Sequence, residues 1–451
     1  LSQSSRKPNV IVFFTDQQRA DTTGVHGNPL GLTPNFDRMA QFGTHVYHSF
    51  TCQPVCGPAR SVLQTGLYPN VTGCYRNSIP LPPDSRTLAH YFNDAGYHTG
   101  YIGKWHLAAE EPVTEPKRGG YKYWLAANAL EAVSDAYDTI VYDNDCNKVN
   151  LPGYRVDALT DAAIRYVDEH KTEPFFLFMS FLEPHHQNRR DDYPAPDVYT
   201  ETYTGKWMPP DLAALGGNAH KQIAGYFGMV KRLDEALGRM MDALKSLRLQ
   251  DDTIILFTSD HACHFKTRNS EYKRSCHESS IRVPTALYGP GFQGGGRLTE
   301  LVSLIDLPPT LLDAAGIEVP AHMQGRSIMP LVRRTSTEWQ DDMFVQTSEA
   351  QIGRAIRTKR WKYNMTAPKE LGVRQAGSEV YVEDHLYDLQ ADPYELVNLI
   401  GRESHREVAG VLRERLIRRM EQAGEAAPKV ELSPDKGRAG QHRVTPEEAR
   451  M

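Results

Sequence analysis

Cys56 stands in the run Cys52-Gln-Pro-Val-Cys-Gly-Pro-Ala-Arg60-Ser-Val-Leu-Gln-Thr-Gly66. Pro58 opens a helix expected over 58–65, with Gly66 closing it. Cys56 therefore falls just before a helix start, where unpaired N–H groups and the helix dipole favour an anion. Two plain readings fit it: a small buried cysteine beside a turn, or a thiolate nucleophile with a lowered pKa.

Four further polar clusters each follow an apolar run. Asp16-Gln17 follows Asn9–Thr15, and Gly103-Lys104-Trp105-His106 follows His98–Ile102. Glu183-Pro184-His185-His186 follows Pro174–Phe181, and Ser259-Asp260-His261 follows Thr253–Thr258. Each alone reads as a cap, a turn or a surface histidine pair. Together they read as one site, because ligands of open parallel sheets bind beyond the carboxyl ends of the strands. Asp16, Gln17, Asp260 and His261 offer mostly oxygen, which suits Ca²⁺, Mg²⁺ or Mn²⁺ better than zinc. A zinc reading of His261-Ala-Cys-His264 lacks a second pair at structural-zinc spacing. Arg60, Lys104, Lys273 and Arg282 supply the fixed positive charge that an oxyanion needs.

These residues require a scaffold. Apolar runs bounded by helical patterns (34–42, 58–65, 87–95, 156–170 and 223–247) predict an α/β fold with a large, mostly parallel sheet flanked by helices over residues 1–335. Shorter alternating runs at 344–347, 354–358, 361–364 and 385–389 predict a smaller C-terminal domain over 336–451. It would hold an antiparallel sheet, a helix over about 403–422 and a polar tail from Gly424, extended or draped on the surface. The 451 residues carry a net charge of -5, with 40% hydrophobic and 24% charged residues, which excludes wholesale disorder. Apolar runs are too short to span a bilayer, and no basic tract or acidic tail points to nucleic acid or a membrane surface. Six cysteines are too sparse for a disulfide framework.

Cys56-Gly-Pro-Ala-Arg60, followed by Ser61 and Thr65-Gly66, resembles the signature of the type I, formylglycine-dependent sulfatases of the alkaline phosphatase superfamily. The resemblance runs from about residue 8 to 400, through Asn9–Asp16, Gly103–His106, Pro184-His185 and Thr258–His261. It continues at Lys273, His277–Pro284 and Leu386–Leu399. It implies conversion of Cys56 to formylglycine by a formylglycine-generating enzyme, with Arg60 holding its geometry and charge. It implies one divalent cation, usually Ca²⁺, on Asp16, Gln17, Asp260, His261 and residue 56. Lys104, His106, His185 and Lys273 would surround the sulfate. The hydrated aldehyde would attack sulfur in line, His185 or Lys273 would protonate the leaving oxygen, and His106 would take the proton that lets the sulfated intermediate collapse.

The sequence departs from the pattern around the pocket. Gln17 stands where many sulfatases have a second Asp, and some relatives with an Asp-Gln-Gln-Arg run hydrolyse phosphonate or phosphate esters. Ala262 replaces the usual Gly, His277 replaces an aromatic residue, and His186 competes with His185. His186, His264, Arg268, Asn269 and His277 are read as substrate contacts, and Arg189, Arg190, Tyr193, Tyr199 and Trp207 as a sugar subsite. Such residues suit a sulfated saccharide better than a steroid. The leading expectation is a carbohydrate sulfatase. The alternatives are a phosphonate or phosphate ester hydrolase, and a non-catalytic sulfoglycan binder if Cys56 stays a thiol. The start of the chain resembles cytosolic members, although a removed export signal would leave the same sequence. A homo-oligomer is open.

Overall fold

The computed structural model describes residues 7–294, 296–369, 374–434, 436, 446–447 and 450. The large sheet holds β1 (Asn9–Thr15), β2 (Thr44–Phe50), β3 (His98–Lys104), β4 (Tyr123–Ala127), β5 (Thr139–Tyr142), β6 (Lys148–Leu151), β7 (Phe175–Ser180), β8 (Thr253–Ser259), β9 (Ala286–Tyr288) and β10 (Gly296–Ser303). Their order is β10-β2-β9-β8-β1-β7-β3-β4-β5-β6. β1 is buried on both faces: Val10, Val12 and Phe14 enter one core, Ile11 and Phe13 the other. That is why it reads as an unbroken apolar run rather than an alternating one.

β8, β1, β7, β3 and β4 are neighbours in parallel. β9 is antiparallel to both β8 and β2, so β2 runs the same way as β8. Five strand ends that matter, those of β1, β2, β3, β7 and β8, therefore open on one edge. β2 contains His45 and His48 and shows no apolar run, which is why the sequence pattern does not expose it.

The helices keep to the expected places with shifted ends: Pro34–Phe42, Cys56–Thr65, Leu88–Asp94, Arg155–Glu169 and Ala219–Ser246. The correction that matters is the second. The helix begins at Cys56, two residues before Pro58, and ends at Gly66 with φ +70°. Helix Pro34–Phe42 takes its cap from a distant residue rather than from Thr33. Asn35 and Phe36 donate their N–H groups to the Asp234 carboxylate at 3.0 and 2.8 Å.

The second sheet has β11 (Asp342–Thr347), β12 (Gly353–Thr358), β13 (Trp361–Thr366), β14 (Val380–Asp388) and β15 (Lys429–Glu431). The first four pair antiparallel. β15, inside the segment expected to be extended or draped on the surface, is a largely exposed strand that pairs parallel with β14. Residues 435, 437–445, 448–449 and 451 of that tail lie outside the described residues. Helix Arg406–Gln422 buries Val408, Leu412, Leu416 and Met420, every fourth residue, in the core shared with the large sheet. Among the described residues no helix is long and apolar enough to cross a membrane.

Two histidines of β2, His45 buried and His48 half-buried, make an acid-sensitive contribution to the fold. Burial, with Arg297 and Arg282 beside it, pushes His45 down to about 4. Burial, Arg357 and Arg282 push His48 down to about 3. A folded-state pKa below the unfolded value of about 6.5 means that stability present above pH ~6.5 is lost as pH falls through that value. Asp234 and Asp306, each raised to about 6 chiefly by burial, act in the opposite sense. The contrast is therefore best read in a variant. A His45→Gln, His48→Gln protein is expected to gain thermal midpoint relative to wild type as pH drops from about 6.5 to 4. A difference that does not change with pH would contradict this.

Candidate active site

The strand ends deliver their side chains to one point. Asp16 follows β1, Lys104 ends β3, His185 lies five residues beyond β7, and Asp260 and His261 follow β8. β1 and β8 are in register at Thr15 and Ser259, so Asp16 and Asp260 emerge side by side. Gly103, just before Lys104, has φ +110°, and a Cβ there would lie 1.9 Å from the Ser180 carbonyl oxygen. Only glycine lets β3 approach β7 closely enough to aim Lys104 inward.

Cys56 is 1% exposed. Its Sγ lies 2.8 Å from Lys273 Nζ, 3.3 Å from His261 Nε2 and 3.6 Å from Asp16 Oδ1. Burial raises the thiol pKa, but Lys104, Lys273 and His261, helped by His106, overcome this and hold it well below the usual thiol range. The site thus favours an anion at residue 56. The thiol sulfur marks the place where the oxygens of a matured residue 56 would stand.

Arg60, one helical turn on, is fully buried. Nη1 donates to the Lys104 carbonyl (2.8 Å) and Ser180 Oγ (2.6 Å), and Nη2 to Asp16 Oδ2 (3.0 Å). Asp260 Oδ2 is 3.5 Å away. Lys104 Nζ bridges Asp16 Oδ2 and Glu131 Oε1, both at 2.9 Å. Burial opposes the Asp16 charge and so does Cys56, yet Lys104, His185 and Arg60 keep that carboxylate well below its ordinary range. Its neighbour Asp260 is raised to about 6, first by burial and then by Asp16.

Hydrogen bonds fix two imidazole tautomers. His261 Nδ1 faces the Ala262 carbonyl at 3.0 Å, and His185 Nδ1 faces the His186 carbonyl at 2.7 Å. A carbonyl only accepts, so both Nδ1 atoms carry hydrogen and both rings are held with Nε2 turned to the centre. His185 Nε2 is 3.1 Å from Lys273 Nζ. His186 is half-buried, stacks on His185 (4.3 Å) and meets the Tyr272 ring at a tilt (4.4 Å). Of the two histidines, His185 reaches the centre.

Asp16, Cys56, Asp260 and His261 offer ligand atoms within 4.8 Å of one another. Gln17 Oε1 and Asp260 Oδ2 are buried and accept no hydrogen bond. Gln17 Nε2 is spent on Tyr193 Oη and Cys263 Sγ, which turns the amide oxygen the other way. Orphaned oxygens beside one imidazole lone pair fit a hard divalent cation. Adding Ca²⁺ to chelated protein is therefore expected to raise its thermal midpoint, by the equivalent of about 2.7 kcal/mol at a hundredfold excess over Kd. No rise with Ca²⁺, Mg²⁺ or Mn²⁺ would contradict that fit.

Several residues expected at the substrate lie elsewhere. His264 is fully buried, with Nε2 on the Lys273 carbonyl at 3.0 Å, and Asn269 Nδ2 binds the same oxygen at 3.0 Å. His277 is buried against Tyr387 Oη at 3.1 Å. His264 and Asn269 brace the Lys273 loop from behind, and His277 docks on the second sheet, because sequence proximity to a strand end does not make a side chain face the opening. Arg268 donates to the carbonyls of Tyr394 and Glu395. With Arg282 and Trp207 it lines a separate cavity of about 440 Å³, whose lining omits Cys56, Lys104 and Lys273. Arg189 bonds the Ala132 carbonyl, Arg190 pairs with Asp135 and Asp192, and Tyr199 bonds Glu235. Tyr193 is buried behind Gln17.

Glu131 is the residue that sequence reasoning misses. Burial disfavours its charge, yet Lys104, His106 and His185 draw it down to about 2. It lies four residues beyond β4, in the short helix Leu130–Val133, so no charged residue marks the end of that strand directly.

The family model described as "Sulfatase" matches residues 8–317, and one described as "N-sulphoglucosamine sulphohydrolase, C-terminal" matches 271–422. An ulvan-active sulfatase of Formosa agariphila is 28% identical, over 93% of this chain and 82% of its own. An arylsulfatase of Clostridium perfringens is 29% identical, over 92% and 95%. An N-acetylglucosamine-6-O-sulfatase of Bacteroides thetaiotaomicron is 24% identical, over 89% and 84%. Among solved structures, a protein in complex with its substrate D-glucosamine-2-N,6-O-disulfate superposes with a TM-score of 0.77, at 23% identity over 93% of this chain and 98% of that one. A phosphonate monoester hydrolase of Agrobacterium radiobacter gives 0.69, at 24% over 92% and 96%. Those two structures share the fold.

Proposed function

This chain belongs to the sulfatase family, and we propose that it hydrolyses the sulfate ester of a carbohydrate with residue 56, matured to formylglycine, as the reacting group. The carrying observation is the convergence of Lys104, Lys273, His261 and Asp16 on fully buried Cys56. The saccharide class is supported by relatives named for ulvan and N-acetylglucosamine sulfates.

Asp16, Gln17, Asp260, His261 and residue 56 would hold the divalent cation, which supplies Lewis-acid polarisation of oxygen. Formylglycine supplies a hydrated aldehyde as an oxygen nucleophile with a built-in route for release. The chain's own residues do the rest. Arg60 fixes Asp16 and the helix start. Lys104 and Lys273 bind sulfate oxygens in a site closed to water, where each charge counts for more than in bulk solvent. As the S–O bond breaks, the leaving oxygen takes the electron pair and a proton. Lys273 Nζ and His185 Nε2, in contact at 3.1 Å, are placed to deliver that proton. His106, which helps to lower the thiol pKa of residue 56, is assigned the removal of one when sulfate leaves.

Sulfate release from defined sulfated mono- and disaccharides tests the substrate class. At least one saccharide is expected to be turned over with a higher kcat/KM than choline sulfate or a steroid sulfate. Release from neither kind of saccharide, with residue 56 verified as formylglycine by mass spectrometry, would overturn the carbohydrate assignment.

A further inference from the structure

A ring of contacts joins the C-terminal sheet to residue 56. Gly57 N–H donates to Asn77 Oδ1 at 2.9 Å. Asn77 N–H donates to Glu349 Oε1. The other oxygen of Glu349 pairs with Arg274 Nη2. Arg274 follows Lys273, whose Nζ returns to Cys56 Sγ at 2.8 Å. Glu349 lies between β11 and β12, so the ring closes through a segment remote in sequence from every other member.

Glu349 and Arg274 both have positive φ, +67° and +70°. Non-glycine residues avoid that region unless their surroundings hold them there. Both side chains are 17% exposed, and Arg274 Nη1 also pairs with Glu271 at 2.9 Å, so it is the Glu349 carboxylate that depends on this pair. The neighbouring chain docks alongside: Ser348 Oγ accepts Gln53 Nε2 at 2.9 Å, and Gln346 N–H donates to the Cys52 carbonyl at 2.8 Å. Two strained residues facing each other beside the reacting position need a reason, and the ring provides it.

We propose that Glu349 is a positioning residue for hydrolysis. Through Arg274 it sets Lys273 Nζ against residue 56 and His185, and through Asn77 it sets the first turn of the helix that begins at Cys56. The inference rests on the sulfatase reading, because it gives Lys273 and His185 the task of protonating the leaving oxygen. An alkoxide leaving from a sugar or alkyl sulfate needs that proton. A 4-nitrophenolate does not.

The test compares kcat and KM on 4-nitrophenyl sulfate and on a sugar or alkyl sulfate, for protein coexpressed with a formylglycine-generating enzyme. Glu349→Gln keeps an acceptor for Asn77 N–H and loses the ion pair. Its kcat on the sugar or alkyl sulfate is expected to fall about tenfold or more beyond its fall on the aryl ester, with KM nearly unchanged. Arg274→Gln is expected to reproduce this, and the double variant to add little, because both changes break one link. Equal losses on the two esters would reduce Glu349 to a structural brace, and no loss would remove it from the reaction; either overturns the proposal. If Glu349→Gln fails to fold, the same ester comparison on Arg274→Gln decides. Wild-type protein inactive on both esters would instead sink the sulfatase reading beneath it.

Discussion

Replacing Cys56 by Ala is expected to lower kcat/KM on 4-nitrophenyl sulfate by on the order of 10⁴-fold or more, as loss of a reacting group does. The substitution is small and falls at a position 1% exposed at the start of a helix, so the fold has little to rearrange. What it removes is the atom on which Lys273, His261 and Asp16 converge. What it leaves are the charges of Lys104 and Lys273. The variant should therefore still bind inorganic sulfate, measured by calorimetry, within about tenfold of the wild-type Kd, because binding and chemistry rest on different groups. Retention of more than a few per cent of activity would place the reacting group elsewhere. Loss of activity together with loss of sulfate binding would show a collapsed pocket instead.

The second large effect belongs to Arg60. Its guanidinium is the counter-charge for Asp16 at 3.0 Å and Asp260 at 3.5 Å, and it holds the Lys104 carbonyl and Ser180 Oγ as well. It also lies over the Phe14 ring, 5.1 Å from the centroid. Methionine has similar volume but no charge. Arg60→Met leaves two fully buried carboxylates facing one another, and breaking a buried ion pair in this way costs about 3–5 kcal/mol. Denaturant unfolding in the presence of a chelator should show that loss. Ca²⁺ should recover part of it, because a cation on Asp16 and Asp260 takes over the balancing charge. Arg60→Lys should not rescue activity, since an ammonium cannot span the three acceptors that the planar fork reaches. A methionine variant as stable as wild type in chelator would contradict this view of the site.

Much of the scaffold is legible in the sequence because of how deeply it is buried. β1, β7 and β8 are covered on both faces and so read as continuous apolar runs whose polar ends stand out. Asp16, His185, Asp260 and His261 are legible through those ends, and Lys104 through the end of β3. β2 and β4 carry polar or aromatic residues along their length and stay hidden, and Glu131 goes with β4. Glu349 and Asn77 are illegible for another reason: nothing local marks them, and only packing of the second sheet against the loop at Cys52 brings them near residue 56. The reverse error falls on His264, Asn269 and His277. Their position after a strand end suggests exposure to substrate, but His264 and Asn269 fold beneath Lys273 and hold its backbone, and His277 is buried against Tyr387. His185 and His186 show the limit most simply. Adjacent identical residues cannot be ranked from sequence, and the hydrogen bond of His185 Nδ1 to the His186 carbonyl is what turns one ring toward the centre and leaves the other stacked behind it.

Sulfate and phosphonate esters share a tetrahedral oxyanion, and Gln17 leaves one charge fewer among the cation ligands than a second Asp would. The most direct measurement is therefore the ratio of kcat/KM for 4-nitrophenyl sulfate to that for 4-nitrophenyl phenylphosphonate, on one preparation whose residue 56 has been verified as formylglycine. The leaving group is the same in both, so the ratio reports the centre under attack. A sulfatase centred on residue 56 should give a ratio of about ten or more, falling to background on both esters in Cys56→Ala. A ratio below one would contradict the account.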